Sequence, residues 1–288
     1  MHLFLRIGIL AFSLIGIAHA DALQNLLTTY QSLGDAMRQS PFQRQLLLTS
    51  NETPDLVSGN VHAVVDHPIA TVIAGLNTPA QWCEVIALHP NTKFCSSESS
   101  TPRKRLTVRI GTKGPQELMQ APRLEFDFVL AASSPQYLSV MLNAKDGPMG
   151  TSNYRIALEA IPLSAGKTFL HLTYGYGVNL LGRMAMQTYL ATAGRNKVGF
   201  TVVSTKPHGA PDFIGGVRGV LERNIMRYYL AIDVCLQTLG QPESEQFERR
   251  LQLWSDAIER YPRQLHELER AEYVAMKRAD HLRETQPN

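Results

Sequence analysis

From about residue 104 to residue 178 the chain alternates between apolar and polar positions. "RLTVRIG" and "RLEFDFVL" put apolar residues at every second place. Leu124, Phe126, Phe128 and Leu130 therefore share one strand face, and Arg123, Glu125 and Asp127 the other. "QYLSVMLNA", "TSNYRIALEAIPL" and "KTFLHLTYGYGV" keep the same period, separated by turn formers in "KDGPMGT" and "SAGK". Strands joined by short turns predict an antiparallel meander.

On either side the period changes. "GNVHAVVDHP" reads as a strand ending at Pro68. Apolar residues then recur at helical spacing, first at Ile69, Val72, Ile73 and Leu76. After an Asn77-Thr78-Pro79 break they resume at Trp82, Val85 and Ile86. Two consecutive helices are expected, the second with Thr78 as N-cap and Pro79 in its first position. Residues 21 to about 48 have helical spacing broken at Pro41, predicting one or two short helices before a turn at "SNETPD". Downstream, "NLLGRMAMQTYLATAG" and "IGGVRGVLERNIMRYYLAIDVCLQTLG" read as helices ending at Gly194 and Gly240. In the second, Val217, Leu221, Tyr228, Ile232 and Cys235 fall on one face. Residues 243 to 284 carry an apolar stripe through Phe247, Leu251, Trp254, Ile258, Tyr261, Leu265 and Leu268, which Pro262 divides.

The first twenty residues, "MHLFLRIGILAFSLIGIAHA", have the layout of a secretory signal peptide. Arg6 supplies the positive start, Ile7 to Ile17 the apolar run, and Ala18-His19-Ala20 the cleavage site before Asp21. The expected compartment is the bacterial periplasm. Without Arg6 the net charge falls from +3 to +2, close to balance, and the single basic run Arg103-Lys104-Arg105 does not make a nucleic-acid groove.

Export changes the reading of "WCEVIALHPNTKFC". In an oxidising compartment a Cys83–Cys95 disulfide is the leading expectation. Closing a loop of about 13 residues would stabilise by roughly 3 kcal/mol in the chain-entropy model. Free thiols remain open. A zinc site would need a fourth ligand beyond these two and His89, and a Cys/His nucleophile pair would need a group to orient the histidine. Cys235, in an apolar run, is expected to be a buried thiol.

The order strand, two short helices, antiparallel strands and long helix resembles the START-like (SRPBCC, helix-grip) superfamily. "VHAVVDHPIATVIAGLNTPAQWCEV" carries the likeness: a strand, a His-Pro turn, a helix, a break, and an aromatic near the next helix. The resemblance implies an α+β helix-grip, a curved antiparallel sheet wrapped around a long C-terminal helix, with extra helices at both ends. It spans residues 56–240 as a ligand-binding domain. An N-terminal helical segment (21–55) precedes it and a C-terminal amphipathic helical extension (241–288) follows. It departs from a minimal member by a helix-rich insert around 180–215. Residues 214–239 are the expected gripping helix. The family's apolar cavity implies a hydrophobic small molecule or lipid as guest.

The common catalytic and nucleotide-binding motifs are missing. There is no G-x-S-x-G, H-E-x-x-H or Walker loop, and "GYGVNLLG" has Leu180 where a dinucleotide loop needs its third glycine. His62 and His67, five residues apart, point to opposite strand faces and do not make a metal pair. No metal or cofactor is called for. Candidate cavity residues are Phe126, Phe128, Tyr154, Ile156, His171, Tyr174, Glu222, Arg223 and Tyr228. Tyr154 shares a face with Ile156 and Leu158, opposite Arg155 and Glu159. Arg218 and Glu222 are spaced for an i,i+4 ion pair. Binding without chemistry is the leading reading. An enzyme of cyclase or hydrolase type, using a buried Glu, His or Tyr, and an envelope scaffold docking a protein partner through residues 243–284 are the alternatives.

Overall fold

The computed structural model describes residues 4–99, 103–164, 166–192, 194–206 and 208–285, with side chains from residue 20 to residue 284. Most of the expected leader thus lies outside the described side chains. Its backbone from Phe4 continues without a break into α1 (Phe4–Arg38), so a single helix replaces the one or two short helices expected after Asp21.

Eight strands form one antiparallel sheet in the order β1-β2-β8-β7-β6-β5-β4-β3. They are β1 (Leu46–Glu52), β2 (Leu56–Val65), β3 (Thr92–Glu98), β4 (Lys104–Ile110), β5 (Arg123–Ser134), β6 (Tyr137–Asp146), β7 (Thr151–Pro162) and β8 (Thr168–Val178). The meander expected from β4 to β8 is present. Two strands lie outside that expectation. Leu46-Leu47-Leu48, read above as the end of a helical stretch, opens β1 instead. Its Leu46 and Leu48 face the core opposite Ala63 and Val61 of β2. A run of three leucines has no period to read, and the neighbouring strand decides the matter. β3 is mostly polar and is fixed to its neighbour helix by the disulfide. Register shifts in the β3–β4, β5–β6 and β7–β8 ladders bend the sheet into a trough.

Between β2 and β3 the chain crosses the trough through α2 (Ile69–Leu76) and α3 (Pro79–Ala87). The expected start of α3 is present as a full capping box. The Thr78 hydroxyl accepts from the Gln81 N–H, and the Gln81 side chain accepts from the Thr78 N–H at 3.0 Å, an arrangement worth about 1 kcal/mol. Gly75 lets α2 approach the gripped helix, since a Cβ there would sit 2.7 Å from a Leu236 methyl.

α5 (Gly216–Thr238) fills the trough. Leu221, Ile225 and Ile232 face the sheet and helices with no exposed surface, yet Glu222, Arg223, Arg227 and Asp233 are buried as well. The helix is covered on its remaining sides by α2, α3, α6 (Glu243–Glu259) and α7 (Pro262–Leu265), and α8 (Arg270–Thr285) packs on α6 and β3. Pro262 divides the tail as expected. The tail stripe is core, which corrects the docking surface expected at 243–284. Leu251, Trp254, Ile258 and Leu265 join the same cluster as the sheet, and Phe247, Tyr261 and Leu268 pack against it. On the convex side, Leu26 and Met37 of α1 cover Val64, Ile161 and Phe169. The 180–215 insert is half helix and half hairpin: α4 (Leu180–Ala191) is followed by β9 (Val202–Thr205) paired with β10 (Pro211–Phe213).

Burying four charges on one helix requires partners. Glu267, in the α7–α8 connection, meets it for the two arginines. One of its oxygens accepts from Arg223 and from Arg227 (3.0 Å); the other accepts from Lys113 and Lys197, each at 2.6 Å. Backbone carbonyls of Gln264 and Leu265 take further guanidinium hydrogens at 2.6 and 3.3 Å. Asp233 meets Arg44 at 3.1 Å. Burial alone would push the Glu267 carboxyl up, but the charges of Arg227, Arg223 and Lys113 outweigh it and hold it at about 2.

Glu267→Gln should therefore cost about 3–5 kcal/mol in denaturant unfolding, the cost of leaving buried guanidinium groups uncompensated. Because the folded-state pKa lies below the ordinary 4.5, this stabilisation is complete above about pH 4.5 and lost as pH falls towards about 2. An unchanged unfolding midpoint in the variant at pH 7 would show that the cluster does not hold the tail.

Candidate functional site

The concave face of the sheet divides into two unlike ends. At one, Leu138, Val140, Leu158, Leu170 and Leu172 have no accessible surface. At the other, two cross-strand rows bring aromatic rings together. Tyr154 lies opposite Ala144, and Tyr174 lies opposite both Gly59 and Ile156. Alternation puts Tyr176 on the face of Tyr174, and Phe126 and Phe128 on the face of Leu124. The rings form a chain: Phe126 to Tyr154 at 6.4 Å between centroids, Tyr154 to Tyr176 at 5.3 Å, Tyr176 to Tyr174 at 5.8 Å, and Tyr174 to Tyr228 of α5 at 5.3 Å. Tyr228 stacks on His89, just beyond α3. Here Tyr174, Tyr176 and Tyr228 keep 6, 4 and 8% of their surface, and Tyr154 is half-buried. The trough is packed along its length, and its aromatic end differs in keeping a small residual accessible surface.

The polar tips in this cluster are few and placed. Tyr154 donates to the Thr151 hydroxyl at 2.9 Å, and the Asn224 oxygen of α5 lies 3.4 Å from His89 Nε2 and accepts from Arg227 at 3.4 Å. Burial raises the pKa of Tyr174, Tyr176 and Tyr228, so all three stay protonated at neutral pH. The His89 Nδ1 accepts from the Asn91 N–H at 3.2 Å, which leaves its proton on Nε2, 3.4 Å from the Asn224 oxygen. Burial and the charges of Arg227 and Lys277 push its pKa well down, keeping the ring neutral. Both its nitrogens are engaged.

Six of the expected site residues meet here: Phe126, Phe128, Tyr154, Ile156, Tyr174 and Tyr228. Three do not. His171 is on the convex face, because β8 alternates and Leu170 and Leu172 take the concave side. Its ring stacks on His62 at 4.2 Å and reaches Asn60 at 2.9 Å. Glu222 points to the trough edge, where it accepts from the Ser50 and Thr201 hydroxyls and the Phe200 and Thr201 N–H groups at 2.6–2.9 Å. The expected Arg218–Glu222 pair is bridged instead by Ser50, whose oxygen accepts from Arg218 at 3.0 Å. Arg223 belongs to the Glu267 cluster. His89 enters the sequence reading only beside the cysteines, and Asn224 has no place there at the rings, although its position four residues before Tyr228 puts it on the same helical face.

Strand order, the helix crossing from β2 to β3 and the gripped α5 together settle the architecture. The fold is a helix-grip, an antiparallel sheet around a long helix, as expected from the sequence. No family model and no characterised protein matches the chain. Among solved structures, the grip is similar to human StAR-related lipid transfer protein 5, at 9% identity and a TM-score of 0.38, over 76% of this chain and 99% of that one. It is similar to norcoclaurine synthase from Thalictrum flavum at 11% and 0.35, over 50% and 89%. A conserved protein from Geobacillus kaustophilus gives 14% and 0.36, over 63% and 95%.

A concavity of about 60 Å³ lies outside the grip beside the Cys83–Cys95 disulfide, which is formed as expected. Glu84, Arg250, Lys277, Asp280 and Glu284 line it. Glu284 accepts from the Cys95 N–H at 2.8 Å, and burial pushes its carboxyl up to about 7. Burial also pulls the Lys277 ammonium down to about 8. A raised carboxyl pKa gives stability that is present below about pH 4.5 and lost as pH rises through 7. Glu284→Gln keeps the acceptor for Cys95 without the charge. It should leave thermal stability unchanged at pH 4 and raise it at pH 8 by about 2 kcal/mol. A variant less stable than the parent at pH 8 would show that the ionised form is needed in the fold.

Proposed function

We propose that this is an exported helix-grip protein that binds a hydrophobic small molecule at the aromatic end of its trough. The observation that carries the reading is the contrast along the concave face. One end is sealed by aliphatic side chains, while the tyrosine end retains accessible surface against Tyr154, Tyr174, Tyr176 and Tyr228. Ring faces favour flat or short apolar guests, and tyrosine hydroxyls offer a polar tip a place to hydrogen-bond. The sealed end narrows the guest from a long extended lipid chain to a molecule or chain end that fits among the rings.

Binding without chemistry is favoured by how the titratable groups are engaged. His89 has both nitrogens in hydrogen bonds, and Glu222 accepts four. An acid–base role asks for a group able to exchange a proton with a guest. The leader-like first twenty residues and the disulfide support export.

The test is titration of the full chain with the neutral fluorophore N-phenyl-1-naphthylamine, together with native mass spectrometry after export. A saturable fluorescence rise is expected. Tyr228→Ala should weaken it on the order of tenfold, the equivalent of about 1.4 kcal/mol, while Leu170→Val at the sealed end leaves it unaltered. No saturable binding by the parent, and no co-purified guest, would overturn the reading.

A further inference from the structure

Glu267 faces more positive charge than one carboxylate compensates. Four cationic side chains converge on it: Arg223 and Arg227 from α5, Lys113 from the β4–β5 loop and Lys197 from the segment after α4. Among the described residues no other carboxylate pairs with any of the four. Donors exceed acceptors as well, since Arg227 keeps its Nε buried with no hydrogen-bond partner. Both lysine nitrogens lie 2.6 Å from the same Glu267 oxygen, so they are neighbours of each other. Lys113 is held there by its loop. The Gly111 N–H donates to the Asn91 carbonyl at 2.7 Å, and the Asn91 amide donates back to the Gly111 carbonyl at 2.8 Å. The Thr112 N–H donates to the Gln116 side chain at 2.8 Å. The Lys113 side chain nevertheless keeps 24% of its surface, enough for a small solute to reach it.

A buried excess of like charge is relieved most readily by the loss of a proton. Guanidinium groups do not give theirs up near neutral pH, so the proton comes from a lysine. Burial, opposed by Glu267 and assisted by the Lys197 ammonium, brings Lys113 down to about 7. For Lys197 burial is outweighed by its bond to Glu267, which raises it. The other titratable groups near the pair are Tyr189 of α4 and His89 beyond α3, and neither is a carboxylate. We propose that Lys113 is a nucleophilic amine and that this cluster is a covalent site for a small aldehyde, separate from the ring cluster. The unprotonated Nζ attacks the carbonyl carbon and forms a C–N bond. Both amine hydrogens then leave with the carbonyl oxygen as water, and an imine between Lys113 and the aldehyde carbon remains. Lys197, which keeps its proton beside the same carboxylate oxygen, is the acid at hand for the departing oxygen. The neutral imine adds no cation to the cluster. This chemistry is independent of any guest among the rings.

The full chain is incubated at pH 7 with propanal and sodium cyanoborohydride, which traps an imine by delivering hydride to its carbon. Modified peptides are then identified by mass spectrometry. Lys113 should be alkylated at least tenfold faster than Lys167 and Lys206, whose side chains are 49 and 55% exposed. An ordinary lysine is unprotonated in only roughly one molecule in 2500 at that pH. Trace acetylation with acetic anhydride reports the unprotonated fraction across pH. The rate at Lys113 should level off once the pH passes about 7, while the two exposed lysines keep rising towards pH 10. Lys197→Met removes the neighbouring ammonium, so it should move the Lys113 profile to higher pH and slow its reaction at pH 7 severalfold. Equal labelling of Lys113 and the exposed lysines, a Lys113 rate still rising at pH 10, or selective modification of Lys197 would each overturn the inference. So would a profile that Lys197→Met leaves in place. An early plateau with no trapped propanal would show a neutral amine without an aldehyde site, and equally overturn it.

Discussion

A single buried carboxylate holds this molecule closed. Glu267 accepts from two arginines of the gripped helix and from two lysines that arrive from the β4–β5 loop and the segment after α4. Without it, α5 would place two guanidinium groups against protein with no counter-charge, which costs more than hydrophobic packing on the same helix readily offsets. The C-terminal tail is therefore fixed by electrostatics as much as by its apolar stripe. The gripped helix is surrounded rather than half exposed.

That closure explains the shape of the trough. With α6 and α7 packed on α5 from behind, and Gly75 admitting α2 to close contact, aliphatic side chains at one end of the concave face interdigitate and lose all accessible surface. At the other end the opposing residues are rings, which do not interlock as methyl groups do. Tyr154, Tyr174, Tyr176 and Tyr228 meet at centroid distances of 5.3–5.8 Å and leave surface uncovered between them. The ring cluster and the exposed residues of α4 and the turn around Met149 thus adjoin.

The charged side chains on α5 show how burial redirects a residue's role. Glu222 and Arg223 attract attention as polar groups on a helix facing a trough. The structure turns Glu222 towards hydroxyl and N–H donors of β1 and the 200–201 segment, and Arg223 towards the tail. Each is engaged in holding an element in place.

Local pattern determined much of this protein. Alternation in 104–178 is enough to predict five strands and which of their residues share a face, because the side-chain period of a strand is fixed by backbone geometry. Thr78-Pro79 with Gln81 defines the start of α3 by local hydrogen bonding. The clustering of Phe126, Tyr154, Tyr174 and Tyr228 follows once the strands and the gripped helix are placed. What the tertiary structure decided are the contacts with no local signal. Leu46–Leu48 becomes a strand because β2 offers a free edge there. His171 goes to the convex face because its neighbours on β8 take the core. The tail stripe becomes core because Glu267, some forty residues along the chain from Arg223 and Arg227, is brought to them by folding. Partners distant in sequence leave no period behind, and so the electrostatic core of the molecule was invisible until the chain was folded.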